Sequence, residues 1–152
     1  MLRHIFGFTG LSRALAALAV EEPVMVDVTM IEAAKIIEHN VKKLYGDATR
    51  LESLSAATLE QRENTPLLID GSLLRDHVYS SHTPVSAEVG TSEVINAYHE
   101  FGYVDARGGS SVVPRPVFKL GLQDSRVELE ALLEENLGIL IQGRKIKPRY
   151  IP

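Results

Sequence analysis

The chain has 152 residues, 45% of them hydrophobic and 24% charged, with a net charge of -4 and neither cysteine nor tryptophan. That length and balance describe one ordinary globular domain with a real core, and they exclude collagen-like, low-complexity and wholly disordered chains. Without cysteine there is no disulfide scaffold, thiol nucleophile, zinc ribbon or iron–sulfur site, and aromatics at 6% undersupply a base-stacking surface for single-stranded DNA.

Met1 to Val20 superficially resembles a signal peptide, but Gly7, Gly10 and Arg13 interrupt its apolar run. It reads instead as an amphipathic helix over about 11–20, with Leu11, Leu15 and Leu18 on one stripe. No stretch approaches the roughly 18 uninterrupted apolar residues of a membrane span, so synthesis in a cytoplasm is expected. Pro23 separates this helix from an extended Val24-Met25-Val26. Thr29 and Glu32 have capping-box spacing and predict a helix over about 30–45. Its apolar face is Met30, Ala33, Ala34, Ile37, Val41 and Leu44; Lys42 and Lys43 suit its last turn, and Gly46 its stop.

Residues 47–65 suggest interrupted helical turns through Leu51, Leu54 and Leu59, with Ser53 or Ser55 capping the second piece and Asn64-Thr65-Pro66 ending it. Leu67-Leu68-Ile69 precedes an Asp70-Gly71 turn. Leu73 to Tyr79 reads as a strand, 80–84 as a connection, and 85–90 as an alternating strand that completes an antiparallel hairpin. Ser92 to Phe101 predicts a short helix with Val94, Ile95, Tyr98 and Phe101 at helical spacing, closed by Gly102. Residues 105–111 are loop-like. Val112 to Phe118 is extended, and its prolines confine it to an edge. A last helix, capped by Asp124 or Ser125, carries Val127, Leu129, Leu132, Leu133, Leu137, Leu140 and Ile141 and ends at Gly143. There is no internal repeat. The expected fold is α+β: a single domain over 1–143, with N- and C-terminal helices flanking a small, mainly antiparallel sheet, and a basic segment over 144–152.

The charge is unevenly placed. Arg144, Lys145, Lys147 and Arg149 lie within the last nine residues with no acid among them. The net -4 therefore divides into +4 on that segment and -8 on the other 143 residues, a split that fits either a solvated, frayed terminus or head-to-tail pairing of copies of the chain.

The residues offer little catalytic chemistry. His99-Glu100 would open an H-E-x-x-H metal motif, but Tyr103 stands where the second histidine belongs. Asp76, His77 and His82 have no spacing that demands a metal. Ser72, Ser110 and Ser111 lack a nucleophile-elbow context, and Gly108-Gly109-Ser110-Ser111 lacks the lysine and following helix of a phosphate loop. Adjacent carboxylates at Glu21-Glu22 and Glu134-Glu135 diverge on a helix. No enzyme activity, cofactor or metal is expected. Arg115, held between Pro114 and Pro116, would project from stiff backbone to meet a carboxylate, on a neighbouring subunit or within the chain.

Five stretches in order carry a resemblance. They are Thr58-Leu59-Glu60-Gln61-Arg62; Pro66 to Arg75 (PLLIDGSLLR); Val89-Gly90-Thr91; Tyr98-His99-Glu100-Phe101-Gly102; and Pro114-Arg115-Pro116-Val117-Phe118. Together they resemble the virion-morphogenesis or tail-completion family of tailed phages, the head–tail joining and neck proteins, and Gly10 to Leu18 looks like that family's opening helix. The family's D-T-G stands here as Asp70-Gly71-Ser72, and the phenylalanine after the Pro-Arg-Pro is displaced to Phe118. The resemblance implies a structural virion protein that forms a ring, often sixfold, at the head–tail junction. It joins tail to head beside other neck, connector and tail-tube proteins. DNA would meet it only in passage through the lumen, and there is no membrane, catalysis or cofactor. The expected subunit contacts are Pro114, Arg115, Pro116, Tyr98, His99, Glu100, Phe101, Arg107, Arg144, Lys145, Lys147 and Arg149. The rival expectation is a small homo-oligomeric ligand-binding or regulatory protein of a cell, which purification with a bound small molecule would favour.

Overall fold

Pro23 is the first described residue of a helix. In the computed structural model, which describes residues 23–47, 49–51, 73–104 and 111–141, helix α1 runs Pro23–Leu44. A proline in the first turn costs nothing, because its missing N–H has no helical partner there. Val24-Met25-Val26 is therefore helical and not extended. Met25, Val26, Val28, Thr29 and Met30 are all buried, so this half of α1 is covered around most of its circumference and shows no periodicity to read. Thr29 is not a cap: its hydroxyl donates back to the Met25 carbonyl one turn earlier, at 2.9 Å. Further along, Ala33, Ala34, Ile37, Val41 and Leu44 are buried as their spacing predicts, and Lys42 and Lys43 occupy the last turn.

A single turn, α2 (Leu73–Asp76), precedes β1 (Val78–Thr83), which pairs with β2 (Ser86–Thr91). The hairpin is present, with its register moved toward the C-terminus: 73–76 are helical and 80–83, read as connection, are strand. The turn is only Pro84-Val85. Thr83 builds it, its Oγ1 accepting the Val85 N–H at 3.3 Å and lying 2.8 Å from Ser86 Oγ. One face of β1 is exposed throughout and the other is buried only at Val78 and half-buried at Ser80, which is why its Ser-Ser-His-Thr composition resembles a loop.

Helix α3 (Val94–Phe101) follows, then two short strands, β3 (Tyr103–Val104) and β4 (Ser111–Val112). These pair antiparallel, Tyr103 with Val112 and Val104 with Ser111. Instead of one sheet there are thus two separate two-stranded ladders among the described residues. Helix α4 runs Val117–Ile141, beginning two turns before the expected Asp124 or Ser125. Ser125 is fully buried within it, and Pro116 supplies the first carbonyl, accepting from Leu120 N–H at 3.0 Å. The Pro-Arg-Pro stretch is the entry to this helix and not an edge strand. The class is α+β, as expected. The expected helix over 11–20, the turns over 52–65 and the basic segment 144–152 lie outside the described residues.

The chain divides into two compact units. One comprises residues 1–38, 80–89 and 125–152, the other 39–79 and 90–124. In the first, Val26, Ala34 and Ile37 of α1 and Leu129 and Leu132 of α4 are buried. The Asn136 amide donates to Thr29 Oγ1 at 2.9 Å, tying the two helices by a buried polar contact. In the second, Val41, Leu44, Tyr45, Leu51, Leu74, Val78 and Val117 are buried. There α1 and α4 approach closely at Gly121, where a Cβ would lie 2.5 Å from Val41 Cγ2 and 2.8 Å from Val41 Cα. Glycine inside a helix costs about 1 kcal/mol against alanine; here it is what lets the two backbones meet.

Candidate interaction face on helix α3

Helix α3 sits with its polar residues inside. Asn96 is fully buried and Glu100 is buried one turn later, while Val94, Ile95, Tyr98 and Phe101 are 66%, 47%, 43% and 54% exposed. The periodicity that identifies the helix is correct, but the apolar stripe it defines faces away from the interior.

Hydrogen bonds hold the helix this way round. The Tyr45 hydroxyl donates to Asn96 Oδ1 at 2.9 Å, and Asn96 Nδ2 donates to the Leu74 carbonyl at 3.1 Å and to Thr91 Oγ1 at 2.7 Å. One amide side chain thus joins α1's end, α2, β2 and α3. Glu100 accepts the backbone N–H of Phe118 and of Lys119, each at 3.0 Å. It therefore caps the start of α4 from another element, satisfying two donors that a helix leaves unpaired at its N-terminus. Burial pushes the Glu100 carboxyl above its usual value despite these two bonds. Burial, and secondarily the Glu100 charge, pushes the Tyr45 phenol up, so it remains a donor.

Two opposing terms bear on the orientation. Rolling α3 over would bury four apolar side chains, worth roughly 1.5–3 kcal/mol each when fully covered. It would also strand Tyr45 Oη, the Leu74 carbonyl and two α4 amides, at about 1–3 kcal/mol apiece, and would expose Asn96 and Glu100 without their partners. The two sums are of similar size, and the seating the structure shows is the one in which Tyr45, Leu74, Phe118 and Lys119 keep their hydrogen bonds.

Gly102 turns the chain out of α3. Its φ of 77° with ψ of 166° is a region open essentially to glycine alone, and a Cβ there would stand 2.9 Å from Pro114 Cγ and 3.0 Å from the Val112 carbonyl. The turn brings β3 beside the helix, so that the Tyr98 and Tyr103 rings lie 5.0 Å apart, tilted by 42°. Tyr103, Val104 and Val113 are also exposed. The apolar stripe of α3 thus continues through the tyrosine pair onto the β3–β4 ladder. This is more clustered apolar exposure than singly scattered surface residues provide, and such patches mark interaction sites.

The contact residues expected from sequence separate accordingly. Tyr98 and Phe101 are outward on this face and Pro114 is exposed; His99 and Pro116 are half-buried. Glu100 and Arg115 are buried. Arg115 does not project: its guanidinium turns back to the Val113 carbonyl at 3.3 Å and its N–H bonds the His99 carbonyl. The flanking prolines leave those backbone atoms little freedom, so the side chain is drawn inward. Arg107, Arg144, Lys145, Lys147 and Arg149 lie outside the described residues. Sequence reasoning missed Asn96, Tyr45 and Asn136. A lone asparagine on an amphipathic helix gives no signal of whether it faces a partner or water.

Among the described residues no group of three or more His, Asp and Glu could hold a metal ion, and no helix is long and apolar enough to cross a membrane. His77 lies 3.7 Å from Glu93 and His82 lies 3.4 Å from Asp27, two separate pairs in different units. Compared with family models, with curated proteins and with solved structures, the chain gives no match.

Proposed function

We propose that this chain is a structural virion protein of a tailed phage, a subunit of a ring at the head–tail junction that joins tail to head. The observation that carries the reading is the outward apolar stripe of α3, continued onto β3. A clustered, exposed apolar stripe marks an interaction face, and a ring subunit needs such a face. The ordered motif series points the same way, since its Tyr98-His99-Glu100-Phe101-Gly102 stretch supplies this helix and its Pro114 to Phe118 stretch supplies the segment that Glu100 caps. Within the first stretch, Tyr98 and Phe101 meet a neighbour, Glu100 fixes the helix to α4, and Gly102 aims the ladder. The role is shape and attachment, without catalysis or cofactor.

Sedimentation velocity and negative-stain microscopy of the purified chain test this directly. Rings are expected, and mass spectrometry of intact particles should find the chain in the virion. A chain that stays monomeric at tens of micromolar and is missing from particles would overturn the reading.

A further inference from the structure

We propose that the outward face of α3 and β3 receives the basic segment 144–152 of a neighbouring copy. The inference rests on the ring reading and names the partner of that same face. A contact that closes a ring joins two different surfaces of one chain; a face paired with itself closes a dimer instead. The second surface must therefore be sought elsewhere in the sequence. Segment 144–152, Arg-Lys-Ile-Lys-Pro-Arg-Tyr-Ile-Pro, interleaves Ile146, Tyr150 and Ile151 with four cations and contains no acid.

The chemistry of the face fits that alternation. Tyr98, Phe101 and Tyr103 are 43–54% exposed, and the tilted Tyr98–Tyr103 pair sets two aromatic rings beside one another. Aromatic faces attract Lys and Arg head groups, while Val94 and Ile95 offer apolar surface for isoleucine. Two prolines bias the segment toward an extended form, the kind of ligand that aromatic-lined surfaces take. Nine extended residues reach roughly 30 Å, and eight residues of helix are about 12 Å long, so the segment can cross the whole face. Charge favours docking in trans as well. The remaining 143 residues carry -8, and two such bodies repel until the +4 segment of one is brought against the other. The competing acceptor is the exposed side of α4, where Glu128, Glu130, Glu134 and Glu135 flank an exposed Val127; it would take the cations but offers one large apolar side chain to the segment's three.

The test uses the full chain with a photoreactive benzoylphenylalanine in place of Phe101, mixed in light and heavy isotopic forms. Irradiation should link position 101 of one form to residues 144–152 of the other. The Ile146→Ser/Tyr150→Ser/Ile151→Ser triple variant of the unlabelled chain should weaken self-association at least tenfold, as should Tyr98→Ser/Tyr103→Ser, with the circular dichroism of both unchanged. Cross-links to the acidic side of α4, to α3 of another copy, or only within one isotopic form would overturn the inference, as would an absence of links. Rings that form while position 101 links elsewhere would remove this inference and leave the ring reading intact. Trans links in a chain missing from virions would remove the neck reading and leave the segment–face pairing standing.

Discussion

The two units solve the same packing problem in opposite ways. The unit built from residues 23–38, 80–89 and 125–141 buries apolar side chains of both its helices, with Thr29–Asn136 as a buried polar contact. The unit around α3 fixes a helix by Asn96 and Glu100 and leaves its apolar stripe exposed. Apolar periodicity therefore identifies a helix, while the direction in which the stripe points depends on where buried donors and acceptors must find partners.

The largest test of this contrast is Gly121→Val, which forces branched carbon into the Val41 backbone. It should cost about 3 kcal/mol or more and lower the melting temperature by roughly 10 °C; a calorimetric scan within 2 °C of wild type would deny the close approach. Gly102→Ala comes next, at about 2–3 kcal/mol, since a methyl meets Pro114 at a φ that alanine avoids. Asn96→Leu should cost about 2–3 kcal/mol by stranding the Tyr45 hydroxyl and the Leu74 carbonyl. Asn136→Leu, which removes a single donor in the other unit, should cost about 1 kcal/mol in urea unfolding. Equal losses would erase the distinction between the two polar designs.

A subtler effect is in the pH profile. The folded state raises the Glu100 carboxyl above its ordinary 4.5, so it binds that proton more tightly than the unfolded chain does. The stability tied to this proton is complete below the unfolded value of about 4.3 and is lost as pH rises through the folded one. Glu100→Gln cannot titrate. Its stability relative to wild type should therefore improve as pH climbs from 4 toward neutrality, and a pH-independent difference in chemical denaturation would contradict the assignment. The smallest effect on folding belongs to the exposed stripe. Phe101→Ser should move stability by no more than about 0.5 kcal/mol. A loss matching Asn96→Leu would mean that the face is covered within the chain.

Much of this was legible from the residues. The α+β class, the apolar face of α1 over 30–44, the existence of a hairpin, the limits of α3 and its closing Gly102 follow from period, propensity and turn chemistry. The misreadings have particular causes. Thr29 has capping-box spacing but sits mid-helix, bonded back to Met25. Ser80 to Thr83 looks like loop because the strand buries little beyond Val78 and Ser80. The cap-like Asp124 and Ser125 suggest a helix start where the helix is already two turns along. Arg115 has the chemistry of an outward contact, and only the fold of the Pro-Arg-Pro stretch turns it inward. Tyr98 and Phe101 were singled out as contacts by resemblance; their exposure has no signature in the sequence itself.

The polar seating of α3 also bears on how the chain folds. Nonspecific collapse draws apolar side chains inward, so Val94, Ile95, Tyr98 and Phe101 should enter first and roll the helix half a turn from its native pose. Escape then requires lifting that stripe out again before Asn96 and Glu100 can engage. The sequence is locally frustrated at this one helix, and refolding should show an off-pathway population that Tyr98→Ser/Phe101→Ser, by removing the lure, makes disappear.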